Sequence, residues 1–382
     1  MGYRHVETVI SSVSKKAGQP CGDVVQVFRD PYSTVIIVAD GLGSGVQANL
    51  AATMCTTRLK ELIKGGISLR EAFAKCVRTM EDARITGLPY AVFTVARILT
   101  DGLAVALSYE MPPPVFFTRQ YTTILDRKAA TYGDFVVYES NFQLDLNEGI
   151  VIVSDGITQA GLGRGLRNGW EINGVNRFID ELVSANDPPK IFPDELTYKA
   201  RSLWKENQGD DCTAVVAWCK PGRIINIMTG APADPKLDRK IVSDFMESDG
   251  LKIICGATTA AIAARELDLK LEVDQDDPGT ISPPEYFIEG MDLVTEGAVT
   301  LNQVYNVWDE DSDKLERNSP VTILLALLGV ADRVNFFNGT APNLAESDIG
   351  FVQTGILHRK VILPLLAEKL KAAGKLVIIR TY

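Results

Sequence analysis

Apolar and β-branched residues crowd positions 24–28 and 34–39, with Asp30-Pro31-Tyr32-Ser33 between the two runs. Short runs of this kind around a turn-forming segment predict a strand, a turn and a second strand. Past Gly45 the period lengthens. Val46, Leu50, Met54, Leu59, Leu62 and Ile63 recur at helical spacing until Gly65-Gly66 stops the run, which predicts a helix. A second helix is predicted over 69–84, then strands over 90–99, 103–108, 115–119, 135–142 and 150–153. Helices are predicted near 174–184 and 194–207, and a last strand over 213–218. Closely spaced strands with helices grouped apart indicate antiparallel sheets covered by helices, an α+β design.

Lys220-Pro221-Gly222 breaks this texture. Beyond it strand and helix alternate: 224–228, 236–247, 251–255 and 259–267 read as strand, helix, strand, helix. Such alternation predicts an α/β domain with a mostly parallel three-layer sheet. Two domains are therefore expected, residues 1–220 and 221–382. A polar, proline-containing loop is expected over 274–284. The apolar run 321–331 is too short to span a bilayer and reads as a buried helix.

The net charge of -10, with no block or stripe of Lys and Arg, argues against nucleic acid as a partner. Residues 1–7 lack the apolar core of a signal peptide, and no run of about 18 apolar residues exists for a membrane span. None of the six cysteines forms a CxxC pair, so reduced, mostly buried thiols in the cytoplasm are expected.

The chemistry is carried by four short acidic motifs. They are Gly22-Asp23, Ala39-Asp40-Gly41-Leu42-Gly43-Ser44-Gly45, Ser154-Asp155-Gly156 and Asp210-Asp211-Cys212-Thr213. Three sit at the edge of a predicted strand, where a carboxylate is held rigidly. Mg²⁺ and Mn²⁺ take oxygen ligands in octahedral geometry and keep several waters, so a few converging carboxylates suffice. Asp40 is the natural bridge between two ions, and Gly41 after it offers a carbonyl oxygen. Gly43 and Gly45 let the chain pass close by. Two ions about 3.5–4 Å apart can activate a water and neutralise a phosphoryl oxygen. Residues 6–357 contain no histidine, which excludes a histidine-rich zinc site and leaves hydrolysis to water activated by the metal rather than by imidazole. Each motif alone has a plainer reading: Asp-Gly is a common turn, Gly43-Ser44-Gly45 a helix cap, and Asp210-Asp211 a solvated loop end. Their joint order beside strands favours the metal site.

In that order and spacing the motifs resemble the signature of the metal-dependent, type-2C-like protein phosphatases, the PPM superfamily, and most nearly its SpoIIE branch. The likeness covers roughly residues 1–220. It implies an antiparallel β-sandwich flanked by helices, two Mn²⁺ or Mg²⁺ ions, and hydrolysis of phosphoserine or phosphothreonine on a protein substrate in bacterial signalling. Asp40, Asp155 and Asp210 would be the catalytic acids. As metal ligands, Asp40 would bridge both ions, the Gly41 carbonyl would face one, Asp155 and Asp210 would ligate the other, and Asp23 would hold a metal-bound water. The helical pair after Gly45 would act as a switch. Three departures stand out. Tyr109-Glu110-Met111 precedes Pro112-Pro113-Pro114 where many relatives have Ala-Gly-His. Leu42 replaces the usual Met. No kinase, sensor or receiver module precedes the motifs. Two other readings stay open: a hydrolase of a small phosphorylated molecule, and a non-catalytic binding module.

Residues 221–382 match no family of known activity. Thr229-Gly230-Ala231-Pro232, Cys255-Gly256-Ala257-Thr258-Thr259 and Thr295-Glu296-Gly297 each follow a predicted strand. Small-residue loops of this kind are ordinary βα turns or, where they feed helix N-termini, anion sites. Gly256, Thr258 and Thr259 are the candidates for a small anionic ligand. No GxxxxGK[ST] or GxGxxG loop is present, so no nucleotide is assigned. The basic stretch 355–360 reads as a solvated helix start or a docking patch. A regulatory or ligand-binding role, and assembly into a homo-oligomer, are left open for this domain.

Overall fold

The computed structural model describes residues 3–43, 45–132, 135–204, 209–273, 285–310, 319–342 and 356–382. The chain divides into two compact units, Arg4–Pro221 and Gly222–Tyr382, with Tyr3 joining the second.

Arg4–Pro221 begins with β1 (Arg4–Val13), β2 (Asp23–Asp30), β3 (Ser33–Leu42), α1 (Val46–Lys64) and α2 (Leu69–Ile85). There follow β4 (Tyr90–Leu99), β5 (Leu103–Tyr109), β6 (Val115–Phe117), β7 (Thr122–Ile124), β8 (Lys128–Tyr132), β9 (Phe135–Gln143) and β10 (Gly149–Val153). The unit closes with α3 (Asp155–Thr158), α4 (Glu171–Ser184), α5 (Phe192–Trp204) and β11 (Cys212–Pro221). Two antiparallel sheets result, ordered β2-β3-β4-β5-β9-β8 and β1-β11-β10-β6-β7. The two-residue period of the strands explains the layers. Ile150, Ile152, Val215 and Ala217 share a core with Ile36, Val38 and Ala96 of the other sheet. Their neighbours Val151, Val153, Ala214 and Val216 face away, onto Val175 and Ile179 of α4 and Leu196 and Ala200 of α5. The unit is thus an antiparallel β-sandwich with helices on both outer faces, as expected.

Two features depart from the pattern read in the chain. The first is β1, which no periodicity announced. Only His5 and Val6 of its ten residues are buried, and the strand exists through its pairing with β11, from Arg4↔Pro221 to Val13↔Cys212. The second is the face that α1 buries. Val46, Leu50 and Met54, which marked the helix, are 65%, 57% and 64% exposed. The buried face is Ala48, Ala51, Ala52, Cys55, Thr56, Leu59 and Ile63, so of the six marking residues only Leu59 and Ile63 are buried. Small residues are needed because the helix lies directly on backbone: a β-carbon at Gly41 would collide with the Ala48 carbonyl.

Gly222–Tyr382 contains β12 (Ile224–Thr229), α6 (Asp238–Glu247), β13 (Leu251–Cys255), α7 (Ala257–Leu267), β14 (Glu272–Val273), β15 (Glu285–Phe287) and β16 (Leu293–Thr295). It continues with α8 (Ala298–Val307), α9 (Pro320–Val330), β17 (Arg333–Asn338), α10 (Arg359–Ala372) and β18 (Leu376–Thr381). The sheet order is β14-β15-β16-β13-β12-β17-β18. Its five strands from β16 to β18 are parallel, and β14 and β15 add an antiparallel edge. Ile225, Ile227, Val334 and Phe336 pack against α8, α9 and α10, while Met228, Ile254 and Phe337 pack against α6 and α7. This is the mostly parallel, three-layer α/β arrangement expected. The apolar run 321–331 forms α9, but only Pro320, Leu324 and Leu328 are buried. It is a helix lying on the sheet with one face in the core, not one buried all round. The expected loop over 274–284, together with Ser44, residues 205–207 of the predicted helix and Gly355, lies outside the described residues. Among the described residues no helix is long and apolar enough to cross a membrane.

The close seat of α1 generates a comparison. Gly41→Ala is expected to destabilise the protein by about 3 kcal/mol or more, since neither the strand nor the Ala48 backbone can give way. Gly66→Ala, at φ +86° in open space, is expected to cost only about 1–2 kcal/mol of backbone strain. Urea midpoints decide it, and equal losses would refute the backbone-on-backbone contact.

Candidate metal centre

The antiparallel register of β2 and β3 sets Asp23 directly opposite Asp40. Opposed residues point to the same face, so two carboxylates are brought side by side, and both are buried. The strand does not end before Asp40. Gly41 and Leu42 remain in β3 because they pair with Ala91 and Tyr90 of β4. Asp155 comes from the other sheet. It is the first residue of the short α3, one step past Ser154, and that step is locked to β11. Ser154 donates its N–H to the Thr213 carbonyl at 2.9 Å, and its hydroxyl accepts the Thr213 N–H at 2.9 Å. A β-carbon on Gly156 would strike the Asp211 carbonyl, so this turn tolerates only glycine. Gln159 donates its side-chain amide to Asp155 at 2.7 Å.

Asp210 and Asp211 lie in the loop that enters β11. Asp211 is buried beside Gly22, where a β-carbon would come within 2.8 Å of its carboxylate. Asp210 has a side chain 44% exposed and faces solvent. Both meet Lys15, from the loop between β1 and β2. The Lys15 ammonium is 3.2 Å from Asp210 and 3.7 Å from Asp211, and its backbone N–H donates to Asp211 at 2.8 Å. The four motifs therefore gather at one end of the sandwich. Lys15 belongs to this group and was not foreseen, because nothing in its spacing distinguishes it from a solvated lysine. Among the described residues, no three of these carboxylates bring oxygens within 4.8 Å of one another.

The electrostatics follow from crowding acids out of water. Burial, then the charges of Asp23 and Asp155, push the Asp40 carboxyl up to about 10. Burial pushes Asp23 up to about 6, and Asp155 is raised for the same reason. Burial alone would lower the Lys15 ammonium, but Asp210, Asp211 and Asp40 outweigh it and raise it. Cys21 and Cys212 border the cluster. Burial pushes both thiols up to about 12, which keeps them protonated and poor metal ligands.

These groups fit divalent cations. The Asp23 carboxylate is buried, with, among the described residues, only the hydroxyls of Ser154 and Thr213 near enough to answer its charge, and the Thr213 hydroxyl also reaches Ser12 at 2.9 Å. A buried carboxylate is costly unless a cation or hydrogen bonds answer it. The donors are carboxylates plus the Gly41 carbonyl, which would lie 3.5 Å from a β-carbon on Gly22. An all-oxygen set of this kind suits hard cations. In the second unit, Thr258 is exposed on α7. The buried Thr259 hydroxyl already accepts the Gly230 N–H at 2.8 Å. Gly256 precedes α7 and donates its N–H to the Thr295 carbonyl at 2.6 Å.

A helix-flanked antiparallel sandwich with an acidic cluster at one end of its sheets defines a class, and sequence comparison names the family. The model of Stage II sporulation protein E (SpoIIE) matches residues 30–220, half of the chain. The chain belongs to the SpoIIE family. No curated protein matches it. Among solved structures, the PP2C phosphatase domain with a regulatory-domain fragment of SpoIIE from Bacillus subtilis is 18% identical, with a TM-score of 0.49. That alignment covers 58% of this chain and 64% of that one, so this chain spans less than two thirds of it. The RsbU and RsbW domains of Rv1364c from Mycobacterium tuberculosis are 17% identical over 64% of this chain and 68% of theirs, with a TM-score of 0.49. RsbX in complex with magnesium is 14% identical over 56% of this chain and 96% of its own, with a TM-score of 0.42. At these scores the structures amount to a resemblance only.

The raised Asp40 carboxyl has a signed consequence. Its folded value of about 10 stands above the ordinary 3.8, so between those limits the fold binds the proton more tightly than the unfolded chain. The stabilisation is complete at low pH and is lost as pH rises through this window. In chelator, Asp40→Asn is expected to raise the melting temperature at pH 8–9, with the gain shrinking toward pH 5. Lys15→Met should do the opposite and lower it. Thermal melts across pH check both signs.

Proposed function

We propose that this protein is a metal-dependent phosphatase that removes phosphate from phosphoserine and phosphothreonine on a protein, within bacterial signalling. The observation that carries this reading is the buried Asp23 carboxylate paired in register with the buried Asp40, inside a chain of the SpoIIE family. Asp23, Asp40, the Gly41 carbonyl, Asp155 and Asp210 would hold two Mn²⁺ or Mg²⁺ ions. Bound there, the ions supply what imidazole does elsewhere, acidifying the attacking water and neutralising phosphoryl oxygens.

The chain's own residues do the rest. Ser154 and Thr213 fix the two loops that carry Asp155 and Asp210 to each other. Positions held this tightly keep the ligand oxygens in place without reorganisation during the reaction. Asp210 is the exposed member, so it sits on the side from which a phosphorylated segment approaches. Lys15 beside it balances the acidic charge and tempers repulsion of a phosphate dianion. Ala48 in the first turns of α1 abuts Gly41 and Gly22, which supports the reading of that helix as a switch, because a shift of α1 presses on the backbone of two ligand segments. The Gly222–Tyr382 unit would then be the regulatory or ligand-binding domain, and the protein's partner would be its phosphoprotein substrate, not nucleic acid or a membrane.

The test is hydrolysis of p-nitrophenyl phosphate, phosphopeptides and small phosphate esters by the full chain with Mn²⁺ or Mg²⁺. Phosphopeptide turnover is expected, to be lost on chelation and reduced roughly 100-fold or more by Asp40→Asn or Asp155→Asn. Turnover confined to small esters would instead make it a metabolite phosphatase, and folded protein inert toward all three would make it a binding module.

A further inference from the structure

The parallel core of Gly222–Tyr382 runs β16-β13-β12-β17-β18 across the sheet. In chain order these are the third, second, first, fourth and fifth parallel strands, so the order reverses between β12 and β17. The chain leaves β12 for α6 on one face of the sheet, and after β17 it reaches α10 on the other. Where neighbouring parallel strands part in this way, a crevice opens at their carboxyl ends, and open α/β sheets bind ligands in it.

Independent observations mark that crevice here. Thr229 ends β12, Asn338 ends β17, and the two are direct partners in the register. Thr229 is 1% exposed, and its hydroxyl has no hydrogen-bond partner. The side-chain oxygen of Asn338 is likewise buried without one. Both share the face of Ile225, Ile227, Val334 and Phe336, the α10 side. Deeper in the same two strands the polar pair is fully served. Asn335 donates to Asn226 at 2.8 Å, and Asn226 donates to the Asp249 carbonyl at 2.8 Å. The sheet thus satisfies its internal asparagines and leaves two polar groups unanswered at its carboxyl edge. Buried polar groups without partners are uncommon, and a functional role or a bound water or ion is among the recognised reasons.

The first residue of α10 brings charge to the same place. The Arg359 guanidinium lies against Gly230, where a β-carbon would collide with it, and donates to the Ala341 carbonyl at 2.9 Å. Gly230 has φ +80°, and a β-carbon on Gly339 would strike Ala231. Both loops therefore present bare backbone around the arginine. Their N–H groups are already committed: Gly230 to Thr259, Gly339 to the Thr229 carbonyl and Ala341 to the Ala231 carbonyl. Recognition falls to side chains: the Thr229 hydroxyl and the Arg359 guanidinium can donate to a planar or tetrahedral oxyanion, and the Asn338 oxygen accepts from a hydroxyl or N–H of the same ligand.

We propose that the carboxyl edge between β12 and β17 binds a small molecule bearing an oxyanion, phosphate or carboxylate, held by Thr229 and Arg359, with a hydroxyl or N–H of the same molecule donating to the Asn338 oxygen. This places the ligand on the α10 face of β12, across the strand from Thr259, whose hydroxyl is engaged. Gly256 and Thr258 have no part in it.

The experiment uses the full chain in chelator, so that cation-dependent binding at the acidic cluster is removed. Inorganic phosphate, ADP and citrate are each titrated by calorimetry and by thermal shift. At least one is expected to bind saturably with a dissociation constant below 1 mM. Thr229→Val and Arg359→Gln should each weaken that binding 10-fold or more. Thr229→Val should also melt no lower than the parent without ligand, because it deletes an unpaired buried hydroxyl without changing shape. Binding of ADP alone identifies a nucleotide, equal binding of ADP and phosphate a bare phosphate, and citrate alone a carboxylate. No binding by any probe, or binding that both variants retain, overturns the proposal. Because the assay contains no divalent cation and reads no turnover, its result is separate from that of the phosphatase assay.

Discussion

Carboxylates taken out of water beside one another are the central constraint on this protein. Asp23 and Asp40 face each other across one pair of strands, with Asp155 and the Asp210-Asp211 loop delivered from the other sheet. Desolvation and mutual repulsion both oppose ionisation there, and burial drives Asp40 far above the ordinary carboxylate range. A fold that keeps such a cluster must hold it by force from elsewhere. Here the force comes from a sandwich core shared by two sheets and from the paired hydrogen bonds between Ser154 and Thr213. Lys15 supplies partial internal neutralisation at the solvent side. The arrangement is poised toward cations because they relieve the strain that the fold imposes.

The second constraint is distance of approach. The first turns of helix α1 meet the sheet with alanines, not with Leu50 and Met54, and the Ala48 backbone rests on Gly41. Gly22 is pressed between Ala48 and Asp211. Glycine at these points is therefore steric necessity rather than flexibility, and it makes the helix mechanically continuous with the acidic cluster. The outward face of α1 keeps Val46, Leu50 and Met54 in solvent, so of the residues that announce the helix only the later ones, Leu59 and Ile63, are buried in its packing.

The Gly222–Tyr382 unit shows the same contrast between satisfied and unsatisfied polarity in a different architecture. Its parallel sheet buries Asn226 and Asn335 as a closed hydrogen-bonded pair, yet ends two adjacent strands with the Thr229 hydroxyl and the Asn338 side-chain oxygen unbonded. The strand order, not any local motif, puts those two residues together with Arg359, which follows Asn338 by 21 residues in the chain.

Strand and helix types were legible from periodicity because each depends on residues a few positions apart. The shift from clustered strands to strand–helix alternation announced the two sheet architectures. The acidic motifs could be singled out because Asp-Gly at strand edges is a local signal. Periodicity could not announce β1, whose ten residues bury little and owe their conformation to β11 more than two hundred residues away. Nor could it show which side of α1 is buried, since that depended on backbone contact with glycines from other strands. Lys15 and the meeting of Thr229 with Asn338 belong to the same category. Composition and spacing determine what a segment can become and which chemistry it carries. Only the tertiary structure decides which charges face each other, because electrostatic and hydrogen-bond energies depend on separation in space.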